Sequence, residues 1–266
     1  MKIGFIGAGN MAQAIIHGLI HKKVVAPEEL FISAGHFSSA EAVAEKTGVV
    51  ALKKNTEVVD AADIIILAVK PNLLAKVLPK IASTLSPEKT LVSIAAGVSL
   101  ASLAELLGND SQPLIRVMPN VNVSVEAGVS AICSNQQVPA TVLAAVKDLF
   151  GAVGGVYDIA EKDFSTFIGL AGSSPAYVYM FIDAISRAGV LNGMPKKLAT
   201  EIAAKAVLGS AKRLLEGEES PWDLVDQVSS PGGTTVEGVV TLEKAGFIPA
   251  VIEGIDATIK KDQSMS

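Results

Sequence analysis

Up to residue 160, short apolar runs alternate with stretches of helical periodicity. Residues 2–6 form an Ile-rich run that ends in glycines, and residues 10–21 then repeat apolar positions at helical spacing. The same reading predicts strands over 30–32, 63–69, 90–95, 114–117, 129–133 and 155–159. It predicts helices over 39–46, 73–85, 100–107 and 142–150. The run Ile64-Ile65-Ile66-Leu67-Ala68-Val69 has no polar face, as expected of a strand buried on both sides, and Pro71 stops it. Strand, helix, strand in repetition predicts an α/β fold: a doubly wound, mainly parallel sheet covered on both faces.

Beyond Ala160 the strand signal ends. Residues 164–192, 196–216, 221–228, 234–245 and 248–260 all carry helical periodicity, with Gly193 placed to stop one helix and Pro195 to start the next. The 161–216 stretch is apolar around most of its circumference (Phe164, Phe167, Ile168, Tyr177, Val178, Phe181, Ile182, Ile185), so something must cover it. Roughly 100 residues of helix bury such surface poorly alone, which predicts a homodimer with interlocked helices. The chain therefore divides into an α/β domain over 1–161 and an all-helical domain over 162–266, joined near Ala160 to Asp163. Lys260-Lys261-Asp262 and the residues after them read as a frayed tail.

Composition narrows the classes. The net charge of −5 and the lack of a strongly basic segment argue against nucleic acid as a partner. A single Cys133 excludes an internal disulfide and a thiolate zinc site, which fits a reducing cytoplasm. The N-terminal apolar run leads straight into glycines without a cleavage pattern, and the longest apolar run is too short for a membrane span.

Chemistry enters with Gly7-Ala8-Gly9-Asn10-Met11-Ala12, a G-x-G-x-x-A pattern between a strand and a helix. Gly7 permits the tight turn, Gly9 lets backbone amides approach a pyrophosphate, and Ala12 lets helix and strand pack closely. The helix N-terminus attracts the anion. This context predicts a Rossmann dinucleotide-binding domain with Gly7, Gly9, Asn10, Met11 and Ala12 at the cofactor. An acidic residue that would hold an NAD ribose belongs at the end of the second strand. That place reads Ile32-Ser33-Ala34-Gly35-His36, with no carboxylate to repel a 2′-phosphate. NADPH is therefore favoured, with NADH as the alternative, and Ser33, His36 and Lys53-Lys54-Asn55 supply the donors. Val69-Lys70-Pro71, Ala95-Ala96-Gly97 and Met118-Pro119-Asn120 each follow a strand, where open parallel sheets bind ligands, and are assigned to the nicotinamide half.

Ser229-Ser230-Pro231-Gly232-Gly233-Thr234-Thr235-Val236-Glu237 is the most specific segment. Ser-Pro-Gly-Gly forces a turn, and Thr234 with Glu237 reads as a capping box, so the helix start offers amides and hydroxyls to a small carboxylate. Ser230 to Thr235 with Leu242-Glu243, Gly172-Ser173-Ser174-Pro175-Ala176-Tyr177, Ala68-Val69-Lys70-Pro71 and Met118-Pro119-Asn120 together resemble the pyrroline-5-carboxylate reductase family in order and spacing over essentially the whole chain. The resemblance implies a helical dimerisation domain, dimers that assemble further to decamers, and NAD(P)H-dependent reduction of 1-pyrroline-5-carboxylate to L-proline, the last step of proline biosynthesis. It places Ser230, Gly232, Gly233, Thr234 and Thr235 at the substrate, with Thr235 nearest the imine nitrogen as the catalytic residue. Many members have glycine where this chain has Ser174.

Other residues receive plainer readings. His17 and His21 stand i, i+4 on a helix, but no third ligand accompanies them, so no metal site is expected. Cys133 reads as a small buried hydrophobe, Trp222 as a packing residue, and Lys205, Lys212 and Arg213 as a solvated face. Two rival readings are a 3-hydroxyacid dehydrogenase of the 6-phosphogluconate type, which needs a catalytic Lys that residues 169–176 lack, and a non-catalytic NADPH sensor, which has no need of the 230–235 loop.

Overall fold

The computed structural model describes residues 1–264. Eight strands form one sheet: β1 (Ile3–Ile6), β2 (Leu30–Ser33), β3 (Val50–Ala51), β4 (Ile64–Leu67), β5 (Thr90–Ser93), β6 (Leu114–Pro119), β7 (Gly128–Ser134) and β8 (Gly154–Asp158). Their order is β3-β2-β1-β4-β5-β6-β7-β8, and all neighbours run parallel except β6 and β7. Six helices accompany the strands: α1 (Asn10–His21), α2 (Phe37–Thr47), α3 (Asn55–Ala61), α4 (Pro71–Ile81), α5 (Leu100–Leu107) and α6 (Ala140–Gly151). The expected doubly wound architecture is present.

The polar-free run of β4 has a direct cause. Ile64 and Ile66 pack with Ile15, Ile16, Leu19 and Phe150 on one face, while Ile65 and Leu67 pack with Val58, Leu74, Leu78 and Leu103 on the other. Each such side chain contributes about 1.5–3 kcal/mol on burial. Glycines admit the helices. A Cβ at Gly4 would lie 2.4 Å from Val58 Cγ1, and one at Gly18 would lie 2.1 Å from Val153 Cγ1.

Three features depart from the sequence reading. Two elements are additional, the two-residue β3 and the helix α3. The reversal at β7 follows a tight 3-10 turn at Val121–Val125, too short for a parallel crossover. The single helix expected over 164–192 is broken: α7 (Phe164–Phe167), a π-type turn at Ile168–Gly172, then α8 (Ser174–Leu191). Pro175 is the cause, because it has no N–H to donate to the carbonyl of Ala171. Asn120 Nδ2 donates to that carbonyl instead, at 3.0 Å.

The chain forms two compact units, residues 1–172 with 259–266, and residues 173–258. Packing thus divides the molecule later than the 161/162 division read from the sequence. Phe164 and Phe167 are buried against Ala131, with Met118, Val129, Cys133 and Ile159 around them, and so stay with the sheet.

The second unit contains α8, α9 (Lys196–Glu216), α10 (Pro221–Val228), α11 (Thr234–Lys244) and most of α12 (Phe247–Gln263). Gly189 lies against Ala199, and Ser186 shares a 2.8 Å hydrogen bond with Thr200 between α8 and α9. Tyr177 hydrogen-bonds Thr258, and the Phe181 and Phe247 rings stand 5.9 Å apart. The expected frayed tail is instead helix: α12 continues to Gln263, and Ser165 Oγ donates to Asp262 Oδ2 at 2.8 Å. Met265 and Ser266 lie outside the described residues. Trp222, expected to pack, is about half exposed within the single chain, on a helix with no buried residue. Among the described residues no helix is long and apolar enough to cross a membrane.

Candidate active site

The strand order reverses between β1 and β4, which is where an open parallel sheet leaves a crevice at its carboxyl edge. The loops after both strands meet there. Gly7 has φ +118°, and a Cβ on it would lie 2.3 Å from the Ala68 carbonyl oxygen, so only glycine fits. Its N–H donates to Ser33 O at 2.8 Å. Gly9 is the N-cap of α1 and has open space where its Cβ would be, so a ligand can reach the helix amides. Ala12 is fully buried in the core beneath. Asn10 is exposed and Met11 half-buried at the first turn. This is a cradle of the kind a pyrophosphate requires: orphan N–H groups, the positive end of a helix, and no side chain in the way. Gln13, not singled out in the sequence, braces the turn from within by donating from Nε2 to Ala8 O at 2.8 Å.

The residues chosen for the ribose end are near one another but are not equivalent. Ser33 is fully buried, and its hydroxyl donates to Asn55 Oδ1 at 2.8 Å, so it orients Asn55 and is not a free donor. Asn55 opens α3 and leaves its amide nitrogen available, while His36 is exposed at the N-cap of α2. Glu57 accepts the backbone N–H groups of Lys53 and Lys54, at 3.0 and 3.1 Å, and ties that loop down. Lys53 lies over the Phe37 ring at 5.6 Å.

Of the nicotinamide-side loops, Val69, Lys70 and Pro71 lead directly from β4 into α4, with Pro71 at its first turn. Ala95 is buried, whereas Ala96 is exposed and Gly97 has φ +70°. Pro119 is buried at the end of β6. Asn120 is buried and its side chain is occupied. Its Nδ2 donates to Ala171 O, and its Oδ1 accepts the N–H groups of Asn122 and Val129, at 3.2 and 3.1 Å. Asn120 is therefore the knot that ties β6, β7 and the π-type turn, and it serves the site by fixing backbone.

In the helical unit, Ser229 to Gly233 connect α10 to α11. Gly232 has φ +69°, and a Cβ on Gly233 would lie 2.4 Å from Ser230 Oγ, so the Ser230 hydroxyl folds over the start of α11. An open hollow of about 410 Å³ is lined by Gly232, Gly233, Thr234, Val236 and Glu237. Two expectations need correction. Gly233 is the N-cap and Thr234 the first helical residue, so Thr234 stands one place too late to close a capping box with Glu237. The Gly233 N–H is already donated to Ser230 O at 3.0 Å, which leaves the amides of Thr234 and Thr235 for an anion. Both threonines are exposed.

Lys22 holds Glu126 at 2.9 Å and His21 also hydrogen-bonds it, and these two contacts keep the Glu126 carboxyl below the usual range. Burial, aided by the charge of Glu161, pushes the half-buried Cys133 thiol up to about 12.

A doubly wound sheet with a glycine cradle at its reversal point and a separate helical unit defines a dinucleotide-dependent oxidoreductase. Comparison with known proteins narrows that class. Residues 161–265 match the family model described as pyrroline-5-carboxylate reductase dimerisation, and residues 2–97 match NADP oxidoreductase coenzyme F420-dependent. The chain is 44% identical to the pyrroline-5-carboxylate reductase of Escherichia coli K12, over 100% of this chain and 98% of the relative. A solved 1-pyrroline-5-carboxylate reductase from Streptococcus pyogenes superposes with a TM-score of 0.87 at 42% identity, covering 99% of this chain and 98% of that one. The NADP-bound pyrroline carboxylate reductase of Plasmodium falciparum gives a TM-score of 0.89 at 32% identity, covering 100% and 98%. The chain belongs to the pyrroline-5-carboxylate reductase family, whose members are NAD(P)H-dependent oxidoreductases.

Proposed function

We propose that the protein reduces 1-pyrroline-5-carboxylate to L-proline in the cytoplasm, with NADPH as the preferred reductant. The observation that carries this reading is the loop 230–235, a glycine-built helix start with two free amides and a hydroxyl folded over it. It is set in a chain that also holds a dinucleotide cradle. The cofactor occupies residues 7–12, the loops 69–71 and 95–97 and the end of β6. Asn55, steadied by Ser33, receives the 2′-phosphate with His36 beside it.

When bound, the reduced nicotinamide supplies the hydride that converts the substrate C=N bond to CH–NH. The chain's own contribution is orientation, since a protonated imine already accepts hydride readily. The amides of Thr234 and Thr235 and the Ser230 hydroxyl hold the carboxylate at the positive end of α11. Thr235 Oγ1 accepts the imine N–H and keeps that contact as the nitrogen becomes an amine. Gly232 and Gly233 keep the approach free of side chains. The division of labour follows the sequence domains, residues 1–161 for the reductant and 162–266 for the imine and for self-association. Two copies interlock through the helices, and such dimers assemble further, to a decamer.

Titration of NADPH-loaded protein with pyrroline-5-carboxylate tests the reading. Falling nicotinamide absorbance with stoichiometric appearance of proline supports it. Stable absorbance with confirmed binding of both would replace it with a sensor.

A further inference from the structure

One carboxylate oxygen in the sheet unit joins three elements that are distant in sequence. Glu161 Oε1 accepts the backbone N–H of Leu100 at 2.8 Å and Arg116 Nη1 at 3.1 Å. Leu100 is the first residue of α5, and its N–H follows directly on the loop 95–99 that leaves β5. Arg116 projects from β6, buried, with its guanidinium over the Phe164 ring at 4.3 Å from the centroid. Its Nε is buried with no protein acceptor.

That last detail bears on purpose. A buried guanidinium that leaves a donor unsatisfied and pairs with a partly exposed carboxylate is a poor stabiliser, since its desolvation offsets much of the attraction. Placement is the better explanation. Ser99 already caps α5 by accepting the Ser102 N–H at 3.0 Å, so Glu161 adds a second tether at the same turn. Ala95 is buried, with its N–H donated to Ser93 Oγ at 3.3 Å, and Val98 packs on the core, but between them Ala96 is exposed and Gly97 has φ +70° with open space around its Cβ position.

We infer that Glu161, held by Arg116, is a positioning residue that fixes the 95–99 loop and through it the seat of the nicotinamide ring. This rests on the reading above that residues 95–97 line the nicotinamide half. Glu161 touches neither cofactor nor substrate; it acts through the Leu100 amide.

The test compares Glu161→Ala and Glu161→Gln with the parent, using amide hydrogen exchange with and without NADPH, cofactor affinity and steady-state kinetics. In the parent, NADPH slows exchange at residues 95–97. No such protection would remove the reading on which the inference rests, whatever Glu161 does. In Glu161→Ala, the Leu100 amide exchanges faster, and kcat falls on the order of tenfold or more because a misplaced ring loses attack geometry. NADPH affinity changes by less than about twofold, since the pyrophosphate cradle is untouched. Glu161→Gln keeps an oxygen acceptor for Leu100 and restores most of kcat. Parent-like Leu100 exchange or parent-like kcat in Glu161→Ala overturns the inference. So does a kcat loss that Glu161→Gln fails to recover. If Glu161→Ala does not fold, Arg116→Met, which loses the bond to Glu161 and the cationic contact with the Phe164 ring, is read the same way, and parent values there overturn it.

Discussion

The molecule presents two glycine-built helix starts, at residues 7–12 and 230–235, and they differ in how they are supported. The first is enclosed by its own unit: Gly7 meets the Ala68 backbone, Gln13 braces the turn, and Ala12 is fully buried in the core. The second stands on helices with few buried side chains. Met180 is 71% exposed, Leu208 69% and Leu215 81%, whereas every residue of β1, β4 and β5 is buried. A sheet covered on both faces completes itself, while a helical layer with bare apolar faces requires another copy. On the proposed reading, the nucleotide half of the chemistry is a property of one chain, and the imine half depends on assembly.

Substituting the glycines probes that contrast. Gly7→Ala combines a backbone clash with an unfavourable φ, so NADPH affinity should fall by more than about 100-fold, measured by fluorescence titration. Gly232→Ala meets no atom within 4 Å and bears only the left-handed backbone penalty of about 1–2 kcal/mol. It should weaken the substrate loop far less than Gly7→Ala weakens the cradle. Equal losses would break the comparison.

Met180→Glu places a charge on the exposed face of α8. Self-association should weaken about tenfold or more, seen as a lighter species in sedimentation, because a charge buried at an interface without a partner is costly. NADPH binding should persist in that species. An unchanged mass would mean that this face is not covered by a second copy.

The smallest effect concerns Cys133. Its thiol is pushed up to about 12 from an ordinary 9.0 by burial, with Glu161 adding to the shift and Arg116 opposing it. The folded state therefore retains the proton more tightly than the unfolded one. The stability tied to that proton is present below pH 9 and is lost as pH climbs toward 12. Alkylation of the native protein near pH 9 should be slow and should accelerate on unfolding; rapid native labelling would contradict it.

Legibility followed from local cause. β4 and the turn after β1 were readable because a two-faced burial and a glycine cradle each impose residue types on consecutive positions. β3 was not, since Val50-Ala51 is too short to show a period and is held only by pairing with Phe31 and Ile32. The break before α8 has a local signal in Pro175, but the group that satisfies the freed Ala171 carbonyl, Asn120, lies 51 residues before Ala171. The Arg116–Glu161 tether spans 45 residues and has no local signature. At 230–235 the turn was visible while the capping residue was misplaced by one, because Ser-Pro-Gly-Gly-Thr-Thr offers adjacent candidates. Its ligand came from resemblance, as helix amides accept any small anion.

The central claim is that the helical unit selects and holds the imine while the sheet unit holds the reductant. Thr235→Ala tests it most directly, by measuring kcat for pyrroline-5-carboxylate alongside the dissociation constant for NADPH. The account predicts that kcat falls by roughly 100-fold, the order expected when a reacting group loses its orienting contact, with NADPH affinity unchanged. An unchanged kcat, or a loss of NADPH affinity equal to the loss of turnover, would contradict it.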